Sequence, residues 1–127
     1  MNYCVHLHIK KNKVLLLKRA KDNSFFPLIW TPVIGKIKPN EAPHKAVCRE
    51  TEEETKLVLE DGIYFFSLEE HKEDKYWFYF SIDDADKTSI TLNHENEDYK
   101  FFNTNKLPEN LWELFNKQIH LLMNYLS

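Results

Sequence analysis

Glycine, arginine and cysteine each occur only twice in these 127 residues. So little glycine leaves no Gly/Ser linker, and no repeat or low-complexity tract interrupts the chain, so residues 1–127 are expected to form a single domain. Cys4 and Cys48 are too few for a disulfide framework and lack metal-ligand spacing with each other, which predicts two reduced, mostly buried thiols. No apolar run approaches the roughly 18 residues of a membrane helix, since VLLLK and YWFYF are strand-length. MNYCVHLHIKK has neither an apolar signal core nor a small-residue cleavage site, so a cytoplasmic location is expected. A basic excess is also missing: the net charge is -3, which provides no footprint for DNA and disfavours RNA. No Asp-x-Asp-x-Asn-Gly loop appears, which excludes a helix–loop–helix calcium site.

The composition that is present is globular, with 43% hydrophobic and 14% aromatic residues. YCVHLHI at 3–9 alternates like a strand. KKNK makes a polar turn in which Asn12 can take the left-handed conformation, and VLLLKR at 14–19 returns as a more buried strand. Residues 20–33 carry two prolines and bulky aromatics without a period, as expected of an ordered loop ending in a short strand. From Ala42 to Thr55 nothing breaks a helix, and Pro43 suits its first turn. LVLEDGIYFFSL at 57–68 reads as a strand bent at Asp61-Gly62, and KYWFYFSI at 75–82 as a central one. SITL at 89–92 has the make-up of a short strand, and YKFF at 99–102 of a last one. From Pro108 to Leu126, Leu111, Phe115, Ile119, Leu122 and Leu126 mark one face of a helix. Strands on either side of a helix, with a second helix at the end, predict an α/β fold: a mixed β-sheet flanked by helices.

The stretch GKIKPNEAPHKAVCRETEEETKL crowds Glu50, Glu52, Glu53 and Glu54 into five positions. On a helix, Glu50, Glu53 and Glu54 fall at i, i+3 and i+4 and share a face, while Glu52 lies off it. Like charges at that spacing cost roughly a few tenths of a kcal/mol per exposed pair. Such a run is either a solvated helix face or a platform for a hard divalent cation, which takes oxygen ligands.

The flanking residues separate these two readings. Measured from Gly35, Glu41 stands six positions on, Arg49 fourteen, Glu50 fifteen, Glu53 eighteen and Glu54 nineteen. This pattern resembles the signature of the Nudix hydrolases, the family that includes the MutT-like enzymes. That signature reads Gly, five residues, Glu, seven residues, Arg-Glu, an apolar residue, any residue, Glu-Glu, any residue, Gly, then an apolar residue. The Gly, the Arg and all four Glu are in register, and Leu57 matches the last apolar position. At the chain's own composition, six such matches arise by chance on the order of once in 10⁵–10⁶ chains. The acidic run is therefore read as a metal platform. The departures are Lys56 where Gly is usual, Ile34 for the first of paired glycines, Asn40 before Glu41, and Thr51 at an apolar position. None is a ligand position, so they bear on loop geometry. A lysine at a left-handed helix end costs about 1 kcal/mol relative to glycine, while asparagine tolerates that region. WTPVIGKI at 30–37 resembles diadenosine polyphosphate hydrolases when read as Trp-Thr-Pro, and dihydroneopterin triphosphate pyrophosphatases when read as Trp-x-x-Val-x-Gly. HENEDYKFF at 94–102 is similar to a downstream element of both branches.

The resemblance implies a Nudix-like α/β/α sandwich with a loop-helix-loop catalytic motif. It implies a hydrolase that uses Mg²⁺ or Mn²⁺ to cleave a phosphoanhydride in a nucleoside diphosphate linked to another group. A dinucleoside polyphosphate or a nucleoside or pterin triphosphate is favoured as the substrate. By resemblance, the metal ligands are Glu50, Glu53, Glu54 and the carbonyl of Gly35, with Glu95 either a further ligand or a solvated loop acid. The catalytic set is Glu50, Glu53 and Arg49, and Glu50 or Glu95 is the usual base. Arg49 orients the glutamates, with Glu41 as its structural partner. Arg19 and Lys36 are candidates for phosphate and Trp30 for a base, each with an ordinary reading as a solvated cation or a core aromatic. Phe26, Trp77 and Tyr79 share the aromatic alternative, while His6 and His8, at i and i+2, read as structural. The alternatives are an RNA 5′-end pyrophosphohydrolase and a non-catalytic Nudix-fold binding module, which would be expected to have lost one of the three glutamates. The expected state is a monomer or homodimer acting on a small nucleotide-type molecule.

Overall fold

The computed structural model describes residues 1–24, 26–59 and 61–127. Among them the order of elements is β1 (Asn2–Lys10), β2 (Lys13–Arg19), β3 (Trp30–Thr31), β4 (Val33–Lys36), α1 (Pro43–Thr55), β5 (Ile63–His71), β6 (Asp74–Ile82), β7 (Asn96–Asn103) and α2 (Glu113–Leu126). β1 is the axis of a mixed sheet. Along one edge it pairs in parallel with β6, which pairs antiparallel with β5. On its other edge Tyr3 to His6 pair with β4, and only Ile9 and Lys10, beside the turn, pair with β2. β2 thus leaves β1 just after the turn, carrying β7 on one side and β3 near its end. The sheet forks. The 30–36 segment spans the mouth, with β3 on β2 and β4 on β1. Pro32, which has no N–H for a ladder, stands at the switch.

β1 is buried on both faces, which sets the layers. Val5, Leu7 and Ile9 cluster with Phe78 of β6 and with Leu111, Phe115, Ile119 and Leu122 around α2. Cys4 and Tyr79 cluster with Ala46 and Val47 of α1. The result is helix, sheet, helix. Among the described residues no helix is long and apolar enough to cross a membrane.

The α1-facing side of β1 also carries a buried polar chain. His6 Nδ1 lies 2.9 Å from the Thr51 hydroxyl and His6 Nε2 2.6 Å from that of Ser81. The Ser81 oxygen lies 2.6 Å from His8 Nδ1, and His8 Nε2 lies 2.9 Å from Asp83 Oδ2. Burial works against the Asp83 charge, but the Thr88 hydroxyl, the Ala85 N–H and His8 hold its pKa below the usual value. An ionised carboxylate only accepts, so His8 donates from Nε2 and its Nδ1 accepts from Ser81. That uses the one Ser81 proton, so His6 donates to Ser81 from Nε2 and accepts from Thr51 at Nδ1. One carboxylate sets two tautomers and two hydroxyls.

Several elements differ from their sequence-based expectation. Lys11 rather than Asn12 takes the positive φ of the turn (51°). β5 begins at Ile63 because Leu57, Val58 and Leu59 run on from α1 outside any strand, Leu59 packing against the α1 cluster. Glu60, within the expected strand, and Phe25, within the expected loop, lie outside the described residues. SITL forms no strand: Ile90 and Leu92 pack on Leu15, Leu17 and Val33, while the Thr91 N–H bonds Thr55 O at 3.0 Å. β7 starts earlier, at Asn96. α2 starts at Glu113, after a turn closed by Leu111 N–H on Pro108 O. The expected left-handed sites occur at Asn40 (φ 64) and Lys56 (φ 65).

Burial pushes both imidazoles below the ordinary value, His6 well below it; for His8 the Asp83 contact opposes that push. The unfolded chain then binds protons that the folded one does not, so this stability is full above pH ~6.5 and is lost as pH falls through the folded values. The two histidines are expected to lower urea-derived stability below about pH 6.5, by up to ~1.4 kcal/mol per pH unit each, while the raised carboxyls of Glu50 and Glu54 oppose that trend. Ring ¹⁵N shifts read the imidazoles directly: titration of His6 near pH 6.5 in the folded chain would contradict a neutral imidazole.

Candidate functional site

The mouth of the fork is where α1 meets the sheet. Packing of Ala46 and Val47 fixes the rotation of the helix, so Glu50, Thr51, Glu54 and Thr55 continue the buried stripe while Glu53 points half into solvent. Thr51, at a position expected to be apolar, is fully buried, and its hydroxyl is satisfied by His6. Lys56 ends the helix in the left-handed conformation, its N–H on Glu52 O.

Arg49 clasps the loop to the helix. Its Nε and Nη2 meet the two oxygens of Glu41 at 2.8 and 3.0 Å, a bidentate fork. Nη2 also donates to Lys36 O (3.1 Å), and Nη1 to Glu50 Oε1 (2.8 Å) and more loosely to Glu53 (3.4 Å). Glu41 in turn accepts the Lys38 N–H at 3.0 Å. The Arg49 bond, helped by that N–H, outweighs burial and holds the Glu41 carboxyl down at about 2.

Inside this clasp, carboxylate oxygens of Glu50, Glu54 and Glu95 all lie within 4.8 Å of one another. Glu54 is fully buried: its Oε1 accepts from Asn96 Nδ2 (3.2 Å) and faces Arg19 Nη1 (3.6 Å). No N–H or O–H donor among the described residues reaches its Oε2. Burial, then the adjoining Glu50 carboxyl and Glu95, push the Glu54 pKa well above the carboxylate range, with Arg19 opposing. Burial also raises Glu50, against the pull of the Glu54 carboxyl and Arg49. Such a set holds protons unless a cation replaces them, and an all-oxygen donor set suits a hard divalent ion. Gly35 leaves room for the Glu50 carboxyl: a Cβ there would overlap it, and Glu50 would have to leave its bond to Arg49. Its carbonyl accepts weakly from the Cys4 thiol at 3.6 Å, and burial, then Glu50 and Glu54, push that thiol's pKa up.

The structure brings together Glu50, Glu54, Glu95, Gly35, Arg19 and Lys36, which with Tyr3, Ser24 and Ile34 line a cleft of about 400 Å³ or, for Glu54, adjoin it. Glu53 is not one of the three clustered carboxylates, but it shares Arg49 Nη1 with Glu50. Trp30 packs edge-on to Phe102 in the core at 4.9 Å, away from the cleft lining. Trp77 and Tyr79 pack on the α1 side, and Phe26 lies against Trp112. Asn96 and Tyr3 went unnoticed in the sequence. Asn96 arrives beside Arg19 through a one-residue register shift between β2 and β7, for which only its place next to Glu95 was a signal. The Glu95 carbonyl is held by Ala20 N–H (2.9 Å) and Asn23 Nδ2 (3.1 Å).

A NUDIX domain model matches residues 3–123. Comparison with curated proteins finds no significant match. Among solved structures, the chain is similar to the MutT protein from Methanosarcina mazei Go1 at 20% identity, covering 100% of this chain and 95% of that one with a TM-score of 0.80. It is similar to a C. elegans Ap4A hydrolase in a binary complex (20% identity, 98% and 97% covered, TM-score 0.75). It is also similar to the NUDIX domain of Shewanella oneidensis NrtR complexed with ADP ribose (17% identity, 100% and 88% covered, TM-score 0.81). At these identities the likeness is one of fold.

Two substitutions probe the geometry. Gly35→Ala is expected to displace Glu50 and weaken Mn²⁺ binding at least about tenfold by calorimetry, with the far-UV spectrum unchanged; unaltered affinity would refute the close-approach argument. Arg49→Lys keeps the charge but loses the fork, and is expected to cost about 1–3 kcal/mol in urea denaturation.

Proposed function

The chain belongs to the NUDIX family, and from that premise we propose that it is an enzyme of the Nudix pyrophosphohydrolase type. It is a divalent-metal-dependent hydrolase that cleaves a phosphoanhydride in a nucleoside diphosphate linked to another group. The substrate class is a dinucleoside polyphosphate or a nucleoside or pterin triphosphate. One observation carries this reading: three carboxylates gather within 4.8 Å of one another beside a cleft, and one of them is fully buried with an oxygen that no donor among the described residues reaches. Glu50, Glu54 and Glu95 with the Gly35 carbonyl would hold Mg²⁺ or Mn²⁺, with Glu53 at the rim. The cation, when bound, stabilises negative charge on phosphate oxygens and makes an attacking water more acidic.

The chain's own residues do the rest. Arg49 and Arg19 hold Glu50 and Glu54 in place from opposite sides. Glu50 and Glu95 line the cleft, where either can accept the proton of the attacking water at a carboxylate oxygen. Lys36, exposed on the lining, meets a phosphate oxygen. The cleft volume suits one nucleotide-sized group. The two free thiols support a reducing, cytoplasmic setting for this one domain, acting as a monomer or homodimer.

The test is phosphate release with Mg²⁺ or Mn²⁺, coupled to a pyrophosphatase and a phosphatase. The panel spans nucleoside triphosphates, dinucleoside polyphosphates, nucleotide sugars, dihydroneopterin triphosphate and a 5′-triphosphorylated RNA. Turnover of a small nucleotide is expected, falling by on the order of 10²-fold or more in the Glu53→Gln, Glu54→Gln double variant. Metal-dependent binding without turnover would replace this reading with a non-catalytic module, and turnover of RNA alone with an RNA 5′-end enzyme.

A further inference from the structure

A second cavity, of about 780 Å³, lies at the turn end of β2, the end opposite Arg19. Lys13 and Arg19, six residues apart on one strand, stand about 20 Å apart, and the cavity runs from Lys13 along β7 to Tyr99, which pairs with Leu17. The cavity is walled by the β1–β2 turn, by β7 and by the 86–91 segment. Lys10, Lys11, Lys13 and Lys87 line it with a single acid, Asp86, a local balance of four positive charges against one in a chain whose net charge is -3. Tyr99 and Phe101, neighbours on one face of β7, add two rings; Tyr99 is exposed and Phe101 half-buried.

The walls are pinned, so the cavity is a feature of the fold. The Thr91 N–H bonds Thr55 O at 3.0 Å, Ile90 and Leu92 pack into the core, and Lys10 Nζ bonds the Thr88 hydroxyl at 2.8 Å. That hydroxyl donates to Asp83. Lys10 also stands over the Phe101 ring, 5.9 Å from its centre. Lys11, Lys13 and Lys87 are exposed lining residues whose like charges repel less once an anion enters the space, and rings beside them favour an anion that carries a flat group.

We propose that this cavity is a second binding site, separate from the carboxylate cleft, for a small phosphorylated ligand bearing an aromatic ring, the chemistry of a nucleoside monophosphate. Phosphate is met by Lys11, Lys13 and Lys87, while the ring lies on Tyr99 and Phe101. No divalent cation takes part, because the wall offers ammonium groups and hydroxyls rather than a carboxylate cluster.

The test is a titration of the ¹⁵N-labelled full chain in EDTA with adenosine monophosphate, ribose 5-phosphate, adenosine and inorganic phosphate, each up to about 5 mM. Saturable shifts are expected at Lys13, Thr88 and Phe101 with the monophosphate, at least about tenfold weaker with the ring-less or phosphate-less probe. A Lys13→Glu, Lys87→Glu variant, both side chains being exposed, is expected to lose the binding while its dispersed spectrum and its turnover stay as in the parent. Tyr99→Ala is expected to reduce monophosphate binding to the level of ribose 5-phosphate. The proposal falls if no saturable shift appears, if shifts map to Gly35 and Glu95, if the charge-reversed variant binds equally, or if inorganic phosphate binds as well as the monophosphate. Because metal is absent throughout, these outcomes do not depend on whether the carboxylate cleft is catalytic.

Discussion

Glu54 is a carboxyl group with no exposed surface, and the arrangement around it follows from that. Taking an ionised carboxylate out of water carries an effective penalty of several kcal/mol unless other charges and donors offset it. Arg19 and Asn96 address one oxygen, and oxygens of the Glu50 and Glu95 carboxylates lie within 4.8 Å of an oxygen of the same group. A structure that concentrates negative charge in its least hydrated corner is organised to receive positive charge there. The forked sheet makes the corner: β1 and β2 separate, and side chains from both, from α1 and from the 93–96 segment meet in the gap.

The clasp around Arg49 has a complementary task. Glu50 must face the cleft although Gly35, the neighbouring loop and two more glutamates crowd it. One guanidinium serves Glu41 with a two-point fork, Lys36 with a donor to its carbonyl, and Glu50 with a third contact. A lysine ammonium, lacking the planar fork, could not make these directed bonds together. Behind the helix, Thr51 and the His6–Ser81–His8–Asp83 chain tie α1 to β1 and β6 by hydrogen bonds whose directions all follow from one carboxylate. The hydroxyl in an otherwise apolar helix seam is matched by an imidazole across the interface.

The sheet is also electrically polarised along β2. Acids gather where the fork opens and lysines where the turn closes it, so a mild overall charge conceals two local sites of opposite sign. Sites of opposite sign on one scaffold favour ligands of opposite charge.

The sequence by itself determined the motif. Gly35, Glu41, Arg49, Glu50, Glu53 and Glu54 sit within 20 residues, and helix periodicity converts such spacing directly into neighbourhood. The left-handed Asn40 and Lys56, the β1–β2 hairpin, the aromatic strand β6 and the apolar face of α2 were legible for the same local reason. Only the tertiary structure decided which of the glutamates is buried, because the rotation of α1 depends on what Ala46 and Val47 pack against. It also decided that Asn96 meets Glu54 across 42 positions and His6 meets Thr51 across 45. Such pairs depend on strand register and on where the sheet forks, and no local spacing in the chain encodes either.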